Sequence, residues 1–415
     1  MRVLMLSWEY PPVVVGGLGR HVHALATHLV GLGHEVVVLC RQEAGTDALT
    51  HPTSDTVHEG VRVVRVAEDP THLTFEKDLV AWTLAMGHGL VRAGLALAPW
   101  RPDVVHAHDW LVTHPAVALA DFLGVPLVAT IHATEAGRHS GWLSQPLNQQ
   151  IHSVEWWLAN RADALITCSA SMRAEVTQLF EVNEISVIHN GISPRGWRPS
   201  TSAVRAARSA YAPEGAPVVM YFGRLEWEKG VHDLVAALPR VRRAFPGTRL
   251  VVAGQGRQAS ALVEQARKLR VRRSVDFAGH LPDRALVALL AAADVVVLPS
   301  RYEPFGIVAL EAAAAGAPLV ASTAGGLAEL VVDGVTGLSV TPGDVDGIAE
   351  AVRAVLADPA AAARRAKAAK ARLSTEFNWR GIAEQTAEVY RTAEVRAQPT
   401  LGRPKIATGN AFTVQ

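Results

Sequence analysis

Short apolar runs alternate with longer stretches of helical periodicity from one end of the chain to the other. This alternation predicts repeated βαβ units and therefore an α/β fold with parallel sheets. The runs are apolar on both faces, as expected for strands that helices cover on each side. In the first half, the predicted strands span residues 2–6, 35–39, 61–66, 103–107, 127–131, 164–167 and 185–188. Stretches between them, such as 18–33 and 111–123, predict helices.

The pattern stops between residues 193 and 217, where Pro, Gly, Ser, Arg and Ala dominate without a sustained period. We place an interdomain linker there. A second series of predicted strands follows at 217–222, 249–253, 274–277, 294–298, 319–321 and 337–340. The sequence thus predicts two doubly wound domains, 1–192 and 193–378. The ligand is expected in the cleft that faces the carboxyl ends of their strands.

Composition and charge narrow the range of partners. The 415 residues include 40 Lys and Arg against 39 Asp and Glu, which gives no electrostatic basis for nucleic-acid binding. The two cysteines, Cys40 and Cys168, predict reduced thiols in a cytoplasmic protein. No apolar run reaches the about 18 residues of a membrane span. The Ala- and Arg-rich stretch 343–375 predicts a solvated helix, with peripheral contact to an anionic membrane as the alternative. Residues 397–415 predict a disordered tail.

Two glutamates in the segment PSRYEPFGIVALEAAAAGAP are the strongest chemical signal in the chain. Glu303 precedes a Pro-Phe-Gly turn, and Glu311 interrupts a run of Ile, Val, Leu and Ala. A carboxylate in an apolar helix costs free energy unless a partner binds it. We expect both carboxylates to bind ligand hydroxyls beside a helix N-terminus. The alternative is that Glu311 meets a backbone amide or an arginine.

Polar residues also follow two predicted strands of the first domain, in the motifs HAHDW and TIHATE. Strand carboxyl ends are where ligands bind in such sheets, so we expect Asp109 and His132 to contact a sugar or a phosphate. His106 and His108 share a strand face and raise the question of a metal. No third and fourth ligand follows at a recognisable spacing, so we predict no metal site.

Two strand-to-helix turns carry features typical of phosphate binding. After the first strand, Gly16 and Gly17 permit a close backbone approach, although a turn without a ligand explains them about as well. In the second half, Arg224 and Lys229 follow a strand and suit a diphosphate. The alternative is an exposed pair bonded to the two glutamates between them. The turns AGQGR and GHLPD lie on the same rim, and Asn190 closes the first domain opposite it.

In this order the motifs resemble the retaining glycosyltransferases of family 4, which have the GT-B fold of two facing Rossmann-like domains. The resemblance is carried by the Gly-Gly loop, HNGI at 189–192, GRLEWEKG at 223–230 and the E-x7-E pair. It covers about residues 1–395. It looks closest to actinobacterial glycogen-synthase-like α-1,4-glucosyltransferases of glycogen or methylglucose lipopolysaccharide synthesis. Val15 departs from the pattern, because bacterial glycogen synthases usually carry a lysine there.

The resemblance implies roles for individual residues. Arg224 and Lys229 would hold the donor diphosphate, and Glu311 would bind the ribose hydroxyls. Glu303 would bind the 3-hydroxyl of the transferred sugar, and His132 would contact that sugar near O6. Further donor contacts would come from Gly16, Gly17, Asn190, Gly306, Ile307 and Val308, while Glu9 and Asp109 would orient the sugar or the acceptor. A crossover helix at about 379–396 would return to the first domain.

The implied reaction transfers α-glucose from UDP- or ADP-glucose to the non-reducing end of an α-1,4-glucan, without a metal or another cofactor. A mannosyl- or N-acetylglucosaminyltransferase with a lipid or inositol acceptor is the close alternative. A glucan phosphorylase would need a pyridoxal site and usually a much longer chain. A catalytically dead nucleotide-sugar binder would not need the intact glutamates and cations. The nucleobase, the acceptor length and the oligomeric state are not predicted.

Overall fold

The computed structural model describes residues 1–13, 16–43, 48–67, 72–193, 196–212 and 215–397. They form two α/β units, each built on one sheet that is largely parallel, so the predicted fold class is confirmed. Apart from Ala397, the predicted tail lies outside the described residues, as does Val15. Among the described residues, no helix is both long and apolar enough to cross a membrane.

The first unit is an eight-stranded sheet with helices. Its strands are β1 (Arg2–Leu6), β2 (Glu35–Arg41), β3 (Ser54–His58), β4 (Val61–Val66), β5 (Val104–His108), β6 (Leu127–Ile131), β7 (Ala164–Thr167) and β8 (Ile185–Val187). Its helices are α1 (Gly17–Gly31), α2 (Leu79–Leu95), α3 (Thr113–Leu123), α4 (Glu135–Arg138), α5 (Pro146–Arg161) and α6 (Ala170–Phe180). The strand order is β3-β4-β2-β1-β5-β6-β7-β8, and only β3 and β4 pair antiparallel. The order reverses between β1 and β5, and such a switch point leaves a crevice at the carboxyl ends.

The second unit repeats this design with six parallel strands. It contains α7 (Thr201–Tyr211), β9 (Val218–Phe222), α8 (Val231–Ala244), β10 (Arg249–Ala253), α9 (Ala259–Lys268), β11 (Val275–Gly279), α10 (Asp283–Ala292) and β12 (Val295–Leu298). It continues with α11 (Ile307–Ala315), β13 (Leu319–Ser322), α12 (Leu327–Leu330), β14 (Leu338–Val340), α13 (Val345–Ala357) and α14 (Pro359–Glu376). The strand order is β11-β10-β9-β12-β13-β14, so β9 and β12 flank the switch point.

The last helix, α15 (Trp379–Ala397), leaves the second unit and packs against α1, β6 and β7 of the first. Ile382 and Tyr390 are buried there, and the Tyr390 hydroxyl lies 2.7 Å from Nδ1 of His106. A Cβ at Gly191 would come within 2.7 Å of Ile382 Cδ1, so only glycine fits where the first unit meets this helix. The chain therefore crosses between the units twice.

Three segments differ from the predictions. The expected linker contains α7, which packs on α10 and begins at Ser200, whose hydroxyl accepts from the Ala203 amide. Strand β3 was not predicted, because its residues are mostly exposed and show no apolar face. The single helix expected at 343–375 is two helices that meet at Asp358, the N-cap of α14. The domain boundaries at 192 and 378 stay predictions.

Candidate functional site

Lys229 and Glu303 follow β9 and β12, the two strands that flank the second switch point. Gly230 lets their loops approach, since its φ is 66° and a Cβ there would lie 2.0 Å from the Pro299 carbonyl oxygen. Lys229 Nζ donates to Glu303 Oε2 at 2.9 Å, and Ser300 Oγ donates to the same oxygen at 3.3 Å. Only 13% and 11% of the lysine and glutamate side chains are exposed. The structure thus holds a buried, fixed cation and carboxylate at the expected crevice.

Helix α11 begins at Ile307, four residues after Glu303. Gly306 caps it with a φ of 104°, a backbone conformation that suits glycine. The first amides of a helix have no partner within it and favour an anion, which fits the predicted role of Ile307 and Val308. A Cβ at Gly17 would come within 2.8 Å of Ile307 Cδ1, so the glycine turn of the first unit contacts this helix end. The predicted glycine turn is therefore brought to the N-terminus of α11.

Glu311 is buried in α11 and is bonded by an arginine that the sequence analysis did not single out. Its carboxylate is 6% exposed, and Arg20 Nη1 donates to Oε1 at 3.0 Å across the seam between the units. Burial raises the pKa of Glu311 to about 7, although Arg20 opposes the shift. Arg20 also lies 3.9 Å from Asp283. The arginine contact that was the alternative for Glu311 is therefore found in the structure. The contact of Glu311 with a ribose stays a prediction.

Arg224 occupies the same rim as Lys229 but is less constrained. Its side chain is 47% exposed and its Nη2 donates to Glu228 at 3.4 Å, as in the alternative stated above. The Glu226 side chain instead accepts from Arg257, and the Lys229 ammonium group donates to Glu303 rather than to either of the two glutamates. The rim therefore carries one half-exposed cation, Arg224, and one buried cation, Lys229.

His132 follows β6 and faces the seam from the first unit. Its amide donates to Asp109 Oδ1 at 2.7 Å, and its Nε2 lies 3.2 Å from Nδ1 of His108. Burial lowers the pKa of His132 to about 3 and raises the pKa of Asp109 to about 6. Asp109 has a φ of 62° and holds the His132 backbone in place. The predicted contact of Asp109 with the sugar or the acceptor stays a prediction.

Glu9 and Asn190, the other predicted site residues of the first unit, are both buried. Glu9 Oε2 accepts a hydrogen bond from the Gly16 amide at 3.3 Å, so Glu9 stabilises the glycine turn. Asn190 lies beside His21 of α1, whose ring also faces His132 at a centroid distance of 4.7 Å. Neither His21 nor Arg20 was predicted as a site residue, although both lie within four residues of the predicted glycine turn.

Hydrogen bonds between the first and the second unit hold the seam together beside these residues. Ser169 Oγ donates to the Pro304 carbonyl at 2.7 Å, next to Glu303. Tyr302 donates to Glu175 at 3.0 Å. The amides of Ala170 and Ser171, at the start of α6, donate to Glu329 at 3.1 Å. The candidate site is thus enclosed by both units.

Comparisons with known proteins agree on the family. The model of "Glycosyltransferase Family 4" matches residues 15–195, and the model of "Glycosyl transferases group 1" matches residues 205–372. The chain is 58% identical over 412 residues to a glycogen synthase of Mycobacterium tuberculosis H37Rv, which covers 97% of this chain and 98% of that protein.

Two solved structures share the whole architecture. Sucrose-phosphate synthase from Thermosynechococcus elongatus superposes with a TM-score of 0.80 at 26% identity, over 94% of this chain and 98% of that one. Anabaena HepE in complex with UDP-glucose superposes with a TM-score of 0.76 at 25% identity, over 94% and 100% of the two chains. Both units and the seam between them therefore have counterparts in proteins of this kind.

Proposed function

Since the chain belongs to the family 4 glycosyltransferases and has their GT-B fold, we propose that it transfers α-glucose from a nucleotide sugar to the non-reducing end of an α-1,4-glucan. The α configuration of the glucose is retained. The donor is UDP-glucose or ADP-glucose, and the glucan is glycogen or a methylglucose lipopolysaccharide precursor. The glycogen synthase with 58% identity supports the glucan acceptor, and HepE with bound UDP-glucose supports the donor class.

The buried pair of Lys229 and Glu303 beside the N-terminus of α11 carries the proposal. When the sugar leaves its nucleotide, negative charge develops on the diphosphate. A fixed ammonium group and free helix amides stabilise that charge without reorganising. Arg224 adds a second cation with room to move onto the diphosphate.

The other side of the seam suits the uncharged sugar. His132 is neutral at physiological pH because burial lowers its pKa to about 3, so its ring offers hydrogen bonds to sugar hydroxyls without adding charge. Glu303 and Glu311 are bound by Lys229 and Arg20, which fits a role for both in binding hydroxyls.

Retention of configuration then follows without a protein nucleophile. The acceptor hydroxyl approaches on the face from which the diphosphate departs, and a phosphate oxygen takes its proton. The C1–O bond to the nucleotide breaks as the new glycosidic bond forms. The closed seam keeps water from competing with the acceptor.

A donor panel with a glucan acceptor tests the proposal. The purified protein is incubated with maltoheptaose and, separately, with UDP-glucose, ADP-glucose, GDP-glucose, GDP-mannose and UDP-N-acetylglucosamine. Nucleotide release is measured alongside the chain length of the product by mass spectrometry. We expect elongation with UDP- or ADP-glucose, and digestion of the product by an α-1,4-specific amylase.

Matched reactions with an inositol phosphate or a lipid acceptor separate the alternative. Nucleotide release that requires mannose or N-acetylglucosamine donors and such an acceptor would replace the glucan assignment by that alternative. Release without transfer to any acceptor would indicate donor hydrolysis alone. Failure of both glucose donors to extend maltoheptaose would count against the proposal.

A further inference from the structure

Three histidine rings from separate elements converge under the glycine turn. His21 comes from α1, His108 ends β5 and His132 follows β6. Each offers a ring nitrogen, and the three nitrogens lie within 4.8 Å of one another. The cluster could not be predicted from residue spacing, because His21 and His108 are 87 residues apart (108 − 21) and His108 and His132 are 24 apart (132 − 108). The three residues meet only through the sheet topology.

The geometry of the cluster is close to that of a metal site. Nδ1 of His108 and Nε2 of His132 are 3.2 Å apart. Two nitrogen ligands of a tetrahedral zinc ion, with bonds of about 2.0–2.1 Å, are separated by about 3.3 Å. The His21 ring packs edge-on against the other two, with centroid distances of 4.7 Å to His132 and 5.5 Å to His108. The three rings therefore bring one ring nitrogen each to within 4.8 Å of the others.

The nitrogens of this cluster also need a partner. His21 is 6% exposed and His108 is fully buried. Within the described residues, neither ring nitrogen of His21 meets a hydrogen-bond partner of acceptable geometry. A buried polar group left unsatisfied costs about 1–3 kcal/mol. Burial lowers the pKa of all three rings, which leaves them in the neutral form that binds metals.

The donor set selects the kind of ion. Imidazole nitrogens suit zinc and its neighbours among the transition metals, whereas magnesium and calcium prefer oxygen ligands. Asn190 lies next to His21, and its buried side-chain oxygen has no hydrogen-bond partner among the described residues. A second cluster, His23, His58 and Glu59, is less suited, because two of its three members are exposed and water can satisfy their polar groups.

We propose that His21, His108 and His132 form a binding site for Zn²⁺, and that zinc bound there inhibits the enzyme. The inhibition follows because the metal takes the lone pair of His132 and holds its ring away from the sugar. This second half rests on the proposed function, whereas zinc binding by the cluster does not.

Zinc binding is measured first, without substrate, by competition with a chromophoric chelator. All proteins carry His23→Asn, which removes the exposed cluster two residues along the same helix. We expect this reference protein to bind one zinc ion, and the added change His21→Asn or His132→Gln to abolish that binding. Cobalt in place of zinc should give the visible absorption of a tetrahedral, nitrogen-bound ion in the reference only. Thermal unfolding shows that each variant is folded.

Two results would overturn the site: a folded reference protein that binds no zinc, or variants that bind zinc as tightly as the reference.

The proposed inhibition by zinc is tested by transfer assays on the reference protein. Zinc should reduce the rate over the same concentrations at which it binds, EDTA should restore the rate, and magnesium should have no effect. Zinc that fills the site and leaves transfer unchanged would refute inhibition. An enzyme that fails to extend glucan refutes the proposed function and leaves the binding result intact.

Discussion

The two units line the seam with side chains of opposite electrostatic character. The second unit presents full charges in pairs, with Lys229 bonded to Glu303. The first unit presents groups that burial drives toward neutrality. Burial lowers the pKa of His132 to about 3 and raises the pKa of Asp109 to about 6. Burial without a bonded opposite charge therefore favours the neutral form of both groups.

This difference matches the two parts of a nucleotide sugar. The diphosphate is anionic and gains more charge in the transition state, so it needs fixed cations and helix amides. The glucose is uncharged and needs hydrogen bonds of defined direction. Variants that exchange or remove these groups test the comparison, starting with the largest expected effect.

Removing the buried cation should have the largest effect. Lys229→Ala deletes the ammonium group that bonds Glu303, and we expect kcat/KM for glucosyl transfer to fall by about 10²–10³-fold, in line with about 2.7–4 kcal/mol for one preorganised charge-stabilising group. Initial-rate kinetics with the best donor measure it. The matched control is Lys268→Ala, an exposed lysine at the end of α9, which should leave the rate near that of the parent. Equal loss in both variants would contradict the assignment.

We expect the ionised Glu311 carboxylate to lower the free energy of unfolding while it contributes to donor binding. Its folded pKa of about 7 exceeds an unfolded value near 4.5, so the ionised carboxylate destabilises the fold. That penalty is absent below pH 4.5, grows as pH rises to 7, and is full above it. We expect Glu311→Gln to raise the free energy of unfolding at pH 8 by roughly 3 kcal/mol, at about 1.4 kcal/mol per pKa unit.

The same variant should bind the donor more weakly. Denaturant unfolding at pH 8 and pH 4.5 measures the stability difference, which should vanish at the lower pH. Titration with nucleoside diphosphate measures the loss of affinity. A variant that is no more stable than the parent at pH 8 would show that Arg20 already offsets the cost of burial.

The neutral histidine should make the fold sensitive to acid. The folded pKa of His132 is about 3 against an unfolded 6.5, so stability is full above pH 6.5 and is lost as pH falls toward 3. At pH 5 this loss amounts to about 2 kcal/mol. His132→Gln should remove that part of the loss between pH 7.5 and pH 5, measured by urea unfolding at each pH. His51→Gln, at an exposed position, is the control and should follow the parent.

Arg20 gives the smallest expected effect. Its side chain is 54% exposed, and exposed ion pairs contribute only about 0–1 kcal/mol. Arg20→Met should therefore change the unfolding free energy by less than about 1 kcal/mol and should raise the pKa of Glu311 further. Salt sensitivity sharpens the test, because 1 M salt should weaken the parent and not the variant. A loss of several kcal/mol would mean that the pair is a major link between the units.

Much of the fold could be predicted because its strands are buried on both faces. Strands such as β1 and β6 are almost entirely apolar and buried, and the structure begins and ends them at the predicted residues. Strand β3 escaped prediction because it pairs at the edge of the sheet and buries no apolar face. Helix α7 escaped because Ala, Arg and Ser show no clear apolar period, although Ser200 caps it.

The site could be predicted where a single loop defines it. Lys229, Glu303 and His132 all follow strands, so topology alone placed them in the crevice. The partner of Glu311 could not be predicted, since Arg20 lies 291 residues away and meets it only when the units close. The same holds for His21, which joins two other histidines through the packing of α1 on the sheet.

The helix α15 that returns to the first unit has a consequence for biosynthesis. The apolar side of the first sheet that packs Tyr390 and Ile382 also includes Val128 and Ile166, which leave the ribosome early. At roughly 5–20 residues per second, the remaining chain up to α15 takes about 10–40 s to make. The second unit is complete within that interval, while the first still lacks its covering helix. The nascent first unit therefore exposes this apolar side of its sheet to water until α15 has been made.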